Sequence, residues 1–211
     1  RPFLVKEEKL LLMAKESNNS FDILAAIKQI INNCCLENLN IDSLTVFDLE
    51  YVFIKLRAFS VDNNIKVSYK DVEDEKIYNF DVNLDDVKIE YPKENKNVIE
   101  LTNNSGIVMR YPSASLYSDQ EFLNMNRDQF FGLITRCVDK IFVGEEIYEA
   151  KDYKISEIEE FLENLNVKVF EKINEFLLNV PKIQYEIKYK NSLGNDKEIV
   201  LRSITDFFTL R

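Results

Sequence analysis

The 211-residue chain has no histidine and no tryptophan, only four glycines and four prolines, and three cysteines. Histidine is the side chain that titrates near neutral pH unaided and the commonest metal ligand. Its absence excludes Ser-His-Asp and Cys-His catalysis and most zinc-hydrolase designs. Catalysis by carboxylates, lysine or tyrosine survives that exclusion. The glycines, Gly106, Gly132, Gly144 and Gly194, are far apart. Dinucleotide fingerprints and Walker A loops need clustered glycines that let backbone N–H groups approach phosphate, so nucleotide binding by those routes is excluded. Cys34 and Cys35 are neighbours and Cys137 stands alone, which leaves no C-x-x-C pair and no secreted disulfide framework. No run approaches the roughly 18 to 20 continuous apolar residues of a membrane span. The opening residues do not read as a signal sequence, and the expected setting is reducing and cytoplasmic.

What is present is an acidic, well-cored chain: 37 acidic against 27 basic side chains, a formal net charge of −10, 45% apolar residues and 12% aromatic ones. A chain of this size buries roughly 70% of its unfolded surface, so a packed core needs no staples. The charge opposes a nucleic-acid partner, because duplex binding is dominated by neutralising phosphates with Lys and Arg. Every dense Lys/Arg stretch is also diluted by Asp or Glu. The acidic neighbours Glu7-Glu8, Asp85-Asp86, Glu145-Glu146 and Glu159-Glu160 point different ways on a helix or strand, so none makes a convergent acid/base pair. The string Asp81-x-Asn83-x-Asp85-Asp86 fails as a calcium loop, since the sharp-turn glycine position is Asp86 and the bidentate Glu position is Pro92. No catalytic residue, metal-ligand set or cofactor is expected, and the chain reads as a protein that is not an enzyme.

Periodicity predicts three helices over residues 1–60. The first runs from Lys6 to Lys15. Ser20 is the expected N-cap of the second, in which Ile23, Leu24, Ile27, Ile30, Ile31 and Cys34 share one face. The third, from Val46 to Ser60, has two opposed apolar stripes: Phe47, Tyr51, Ile54 and Ala58 on one side, and Leu49, Val52, Phe53 and Leu56 on the other. Charged seams run between them, Asp48 over Lys55 and Glu50 over Arg57. Such a helix must be covered on both sides, either within its own domain or by another subunit with the seams setting register.

Residues 61–111 switch to a period of two and read as an antiparallel β insert with strands at Ile65–Tyr69, Ile77–Val82, Val87–Tyr91, Val98–Leu101 and Ile107–Tyr111. Residues 112–180 read as helices that pack on the N-terminal ones. They comprise Arg127 to Phe142 capped by Asn126, a helix to Leu162 capped by Ser156, and one from Asn166 to Leu178, with a short strand near Glu146 to Tyr148. Both Cys34 and Cys137 fall on apolar faces, as core residues. Residues 181–211 form a hairpin, Ile183 to Lys190 and Lys197 to Leu201 around Gly194, and end in the aromatic tail Asp206-Phe207-Phe208. The expected class is α+β, a helical body interrupted by an antiparallel insert and closed by a β-hairpin.

Four strings suggest a family: Arg1-Pro-Phe-Leu-Val-Lys-Glu-Glu-Lys-Leu-Leu-Leu-Met-Ala, Phe47-Asp-Leu-Glu-Tyr-Val-Phe-Ile-Lys-Leu-Arg-Ala-Phe-Ser-Val61, Met109-Arg-Tyr-Pro112 and Asp206-Phe-Phe208. Across nearly the whole chain the sequence resembles the baseplate hub subunit and hub-assembly family of T-even-like contractile-tailed bacteriophages. Some members carry Cys-containing turns where this chain has Tyr69-Lys70-Asp71 and Asn191-Ser192-Leu193-Gly194. Without those cysteines a metal-stabilised turn is not implied here. The resemblance implies a non-enzymatic part in building the baseplate central hub, in the virion tail or in the host cytoplasm during assembly. Its implied partners are other tail or hub proteins, with self-association open and neither nucleic acid nor membrane involved. A transient chaperone of tape-measure or hub proteins and a carboxylate-dependent tail hydrolase are the alternatives. The candidate partner contacts are Phe47, Asp48, Glu50, Tyr51, Ile54, Lys55, Arg57, Asp206, Phe207 and Phe208.

Overall fold

The structure is a computed structural model that describes residues 1–17, 19–37, 39–123, 125 and 129–209. Among those residues the order is α1 (Val5–Glu16), α2 (Ser20–Cys34), α3 (Val46–Ser60), β1 (Asn64–Lys70), β2 (Ile77–Asn83), β3 (Lys88–Glu90), β4 (Val98–Thr102), β5 (Ser105–Met109), α4 (Gln120–Leu123), α5 (Gln129–Arg136), β6 (Val138–Val143), β7 (Glu146–Glu149), α6 (Ile155–Glu163), α7 (Val167–Leu178), β8 (Lys182–Lys190), β9 (Asp196–Leu201) and α8 (Ile204–Thr209). The class is α+β, with all strand pairs antiparallel in sheets ordered β1-β2, β3-β8-β9 and β4-β5-β6-β7.

Two compact units result, and they do not follow the sequential blocks read from periodicity. One joins residues 1–90 to residues 181–211, and the other is residues 91–180. The stretch expected as one β insert is divided. Its first three strands stay with the N-terminal helices, β3 pairing with β8 at Lys88↔Gln184 and Glu90↔Lys182. Its last two strands join β6 and β7, because pairing across both edges of β5 satisfies more backbone than a free-standing meander would.

In the first unit α3 is central. It packs against α2, against β3 and β8, and against the 3₁₀ turn at Leu84–Asp86. Leu49, Phe53 and Ile54 are fully buried, so both apolar stripes are covered inside the unit. Thr45 caps the helix, its Oγ1 accepting the Asp48 N–H at 3.2 Å. At α2 the cap is Asn19 rather than Ser20, because the Asn19 side chain accepts the Phe21 N–H at 2.9 Å.

In the second unit α5, α6 and α7 lay their apolar faces on the sheet around Ile107, Met109, Ile134, Leu162, Ile173 and Phe176. The long helix expected to reach Phe142 stops at Arg136, and Val138 to Val143 form β6 instead. Its Asn126 cap, with Arg127 and Asp128, lies outside the described residues. The segment alternates well enough for a strand, and lies between β5 and β7 with Ile107↔Ile141 and Ile141↔Tyr148 in register. Gly106 stands opposite Phe142, and a Cβ there would come within 2.6 Å of the Phe142 ring and 2.8 Å of the Ile99 carbonyl oxygen. The helix expected to be capped by Ser156 begins at Ile155, with the Glu157 carboxylate accepting the Lys154 N–H at 2.8 Å. Asn166 caps α7 as expected, accepting the Val169 N–H at 3.0 Å.

Candidate functional site

The charged seams of α3 are used within the first unit. Lys55 extends over the Tyr51 ring at 5.1 Å and donates from Nζ to the carbonyls of Leu84 at 3.0 Å and Asp85 at 2.8 Å. The Thr45 hydroxyl donates to the Asp48 carboxylate at 2.6 Å, closing the cap. Phe47 and Ile54 are buried. On the other seam Glu50 accepts the Ile204 N–H at 3.3 Å. Burial pushes the Glu50 carboxyl up from 4.5 to about 7, the Ile204 N–H works against that rise, and the Asp206 charge adds to it. Asp206 itself accepts the N–H groups of Arg202 at 2.8 Å and Ser203 at 3.0 Å, closing the start of α8. Phe207 is buried, and the side chain of Phe208 lies outside what is described. The structure thus brings Glu50 and Asp206 together and sends Lys55 to a separate turn.

Arg57 differs from the other nine contact candidates. Its Nη2 is 3.8 Å from the Glu8 carboxylate, too long for a hydrogen bond, while Nε and Nη1 are buried with no hydrogen-bond partner among the described residues. It lines a cleft of about 190 Å³ between α1, α2, α3 and α8. Leu11, Ile23 and Ile204 are the buried lining of that cleft, and Leu12, 55% exposed, lies at its edge. Glu8 and Lys15 add the remaining charges. Val5 and Met13 on the same helix are also exposed. The periodicity of α1 did not single out this surface. Its trace in the sequence is the run Leu10-Leu11-Leu12-Met13, which holds more apolar residues than one face of a helix can bury.

A second cluster joins the β1–β2 turn to the β8–β9 turn. Tyr189 donates its hydroxyl to Asp71 at 2.6 Å, and Asn191 and Asn195 donate to Glu73 at 2.8 and 2.7 Å. Asp74 accepts the Tyr78 hydroxyl at 2.5 Å and the Ser192 N–H and hydroxyl at 3.0 and 2.8 Å. The Tyr189 hydroxyl holds the Asp71 carboxyl below the usual range, and the Lys197 ammonium does the same for Glu73. At Asp74 burial pushes upward, but the bonds from Tyr78, Lys76 and Ser192 outweigh it and hold the group low. The two turns fall at Tyr69-Lys70-Asp71 and Asn191-Ser192-Leu193-Gly194, where no cysteine stands. Here hydrogen bonds tie them together. Among the described residues no group of three or more Asp, Glu or Cys side chains is arranged to hold a metal ion.

The donors that hold these three carboxylates low come from the fold itself, and burial beside α8 raises the fourth, Glu50. Buried Cys137, its thiol pushed up to about 12 by desolvation, is likewise a core residue. Residues 1–209 match the family described as T4 bacteriophage base plate protein. The chain belongs to that family. Comparison with curated proteins and with solved structures finds no match. Membership gives the protein its setting, the base plate of a phage tail, and its company, other base plate proteins. No helix among the described residues is long and apolar enough to cross a membrane.

Proposed function

We propose that this base plate protein is a non-enzymatic component or assembly factor of the central hub, acting through protein–protein contacts. The observation that carries the reading is the family match over residues 1–209, combined with the hub-like strings at Arg1 to Ala14 and Phe47 to Val61. The exposed apolar residues Val5, Leu12 and Met13 on α1 fit a surface that meets another protein. The strong acidity of the chain, a net −10, fits a part that must avoid nonspecific nucleic acid while particles form.

The test is an affinity pull-down of tagged protein from infected cells, paired with mass spectrometry of purified virions. Hub proteins in the pull-down support the reading. Presence in virions then marks a structural component, and absence marks an assembly factor that leaves. A pull-down without any tail protein would sink it.

A further inference from the structure

We propose that the outward face of α1 pairs with the same face of a second copy of this chain, the two helices packing antiparallel about a two-fold axis. The inference rests on the reading that this protein works through protein–protein contacts, and it names one partner.

Exposure defines the face. α1 buries Glu7 and Leu11 in the first unit, where the helix packs on α2, and leaves Val5, Lys6, Lys9, Leu12, Met13 and Glu16 outside. At about 100° per residue those side chains fall within one arc of about 120°. Half of them are apolar, with Val5 87%, Leu12 55% and Met13 58% exposed. A helix already packed along its inner side has no need of an apolar outer arc for the fold. Exposed apolar side chains grouped within a charged rim mark a contact surface.

Charge selects the occupant. Along the arc Lys6 and Lys9 stand towards the N-terminal end of α1 and Glu16 closes the C-terminal end. Lys6 lies 3.7 Å from Glu7, whereas Lys9 and Glu16 make no ion pair or side-chain hydrogen bond among the described residues. Two such helices laid antiparallel, with the axis between Leu12 and Met13, set Lys9 of each copy against Glu16 of the other and Leu12 against Met13. A parallel pair would set like charges against each other. Charges flanking an apolar seam fix the orientation of paired helices in this way, and a two-fold axis makes every contact twice.

The acidity of the whole chain does not govern this face. It carries two lysines against one glutamate on a chain of net charge −10. Exposed charges more than about 8 Å away are largely screened at physiological salt. Two helices of 12 residues cover less than the roughly 1,600 Å² of a standard interface, so the pair is reversible.

The test is sedimentation equilibrium of the isolated full chain at physiological salt, where a monomer–dimer equilibrium with a Kd of roughly 10 to 100 μM is expected. Leu12→Asp should abolish the dimer and keep the wild-type melting temperature, because the side chain is exposed; if that variant melts early, Met13→Asp takes its place. Lys9→Glu and Glu16→Lys should each weaken the dimer about tenfold, since each sets two like-charged pairs across the axis. The chain carrying both exchanges should recover the wild-type constant, a rescue that nonspecific apolar contact would not give. A chain that stays monomeric up to about 1 mM, a dimer that survives the Asp substitution, or a double exchange no tighter than either single one would each overturn the proposal. Because no other phage protein is used, failure here leaves the hub reading standing, and a failed pull-down leaves this result standing.

Discussion

Replacing Glu50 by Gln isolates the cost of one buried carboxylate. The side chain lies between α3 and α8, accepts only the Ile204 N–H among the described bonds, and faces the charge of Asp206. Its carboxyl is therefore raised from 4.5 to about 7, so the folded protein holds the proton over a pH range in which the unfolded chain has already lost it. The stability tied to this group is complete below pH 4.5 and is lost as the pH rises to about 7. At about 1.4 kcal/mol per pH unit, the gap amounts to about 3 kcal/mol. Gln keeps the shape and the accepting oxygen but carries no charge. Urea unfolding of both proteins should then show Glu50→Gln ahead by less than about 1 kcal/mol at pH 5 and by about 3 kcal/mol at pH 8. Other perturbed carboxylates, such as Glu7, which its hydrogen bond from Arg1 holds at about 2, affect both proteins alike and cancel in the difference. An equal gain at both pH values, or a Gln variant less stable than wild type at pH 8, would refute the reasoning.

Gly106→Ala should lower the urea midpoint by the equivalent of about 1–3 kcal/mol, because the new methyl meets the Phe142 ring and the Ile99 carbonyl oxygen; an unchanged midpoint would show that the sheet yields freely. Native protein treated with a thiol reagent should label Cys35 and leave buried Cys34 and Cys137 unmodified until denaturant is added, as read by peptide mass spectrometry. Tyr189→Phe removes the main donor to Asp71, so the Asp71 titration midpoint followed by carboxyl NMR should rise; if it stays put, the turn-to-turn network is not what holds the carboxylate low.

Much of the local structure was legible because it is locally determined. The bounds of α3 follow from an apolar pattern too rich for one face, and the structure adds the Thr45 cap. That pattern told that both sides must be covered, and the covering elements proved to be α2 on one side and β3, β8 and a 3₁₀ turn elsewhere around it. Residues 138–143 were misread because Cys137, Val138 and Ile141 continue the apolar arc of α5, and only the distant partner Ile107 decides for a strand. The functional surfaces were hardest to see. Ile204 reaches the cleft from an element more than 140 residues beyond Arg57, and Tyr189 meets Asp71 across 118 positions, so no spacing rule could join them. Glu50 was identified as a charged seam, but its raised carboxyl depends on α8 lying over it.

The division of the chain makes the folding of its two units unequal. Residues 91–180 contain all four strands of their own sheet, so that unit finds every strand partner it needs within one continuous segment. Residues 1–90 cannot finish folding by themselves, because β8, which packs on α3, and α8, which meets Glu50, lie on the far side of that segment in the chain. Until those elements dock, α3 carries an apolar face without its cover. The first unit is therefore open to premature association until residues 181–209 reach it, whereas the second carries no such dependence.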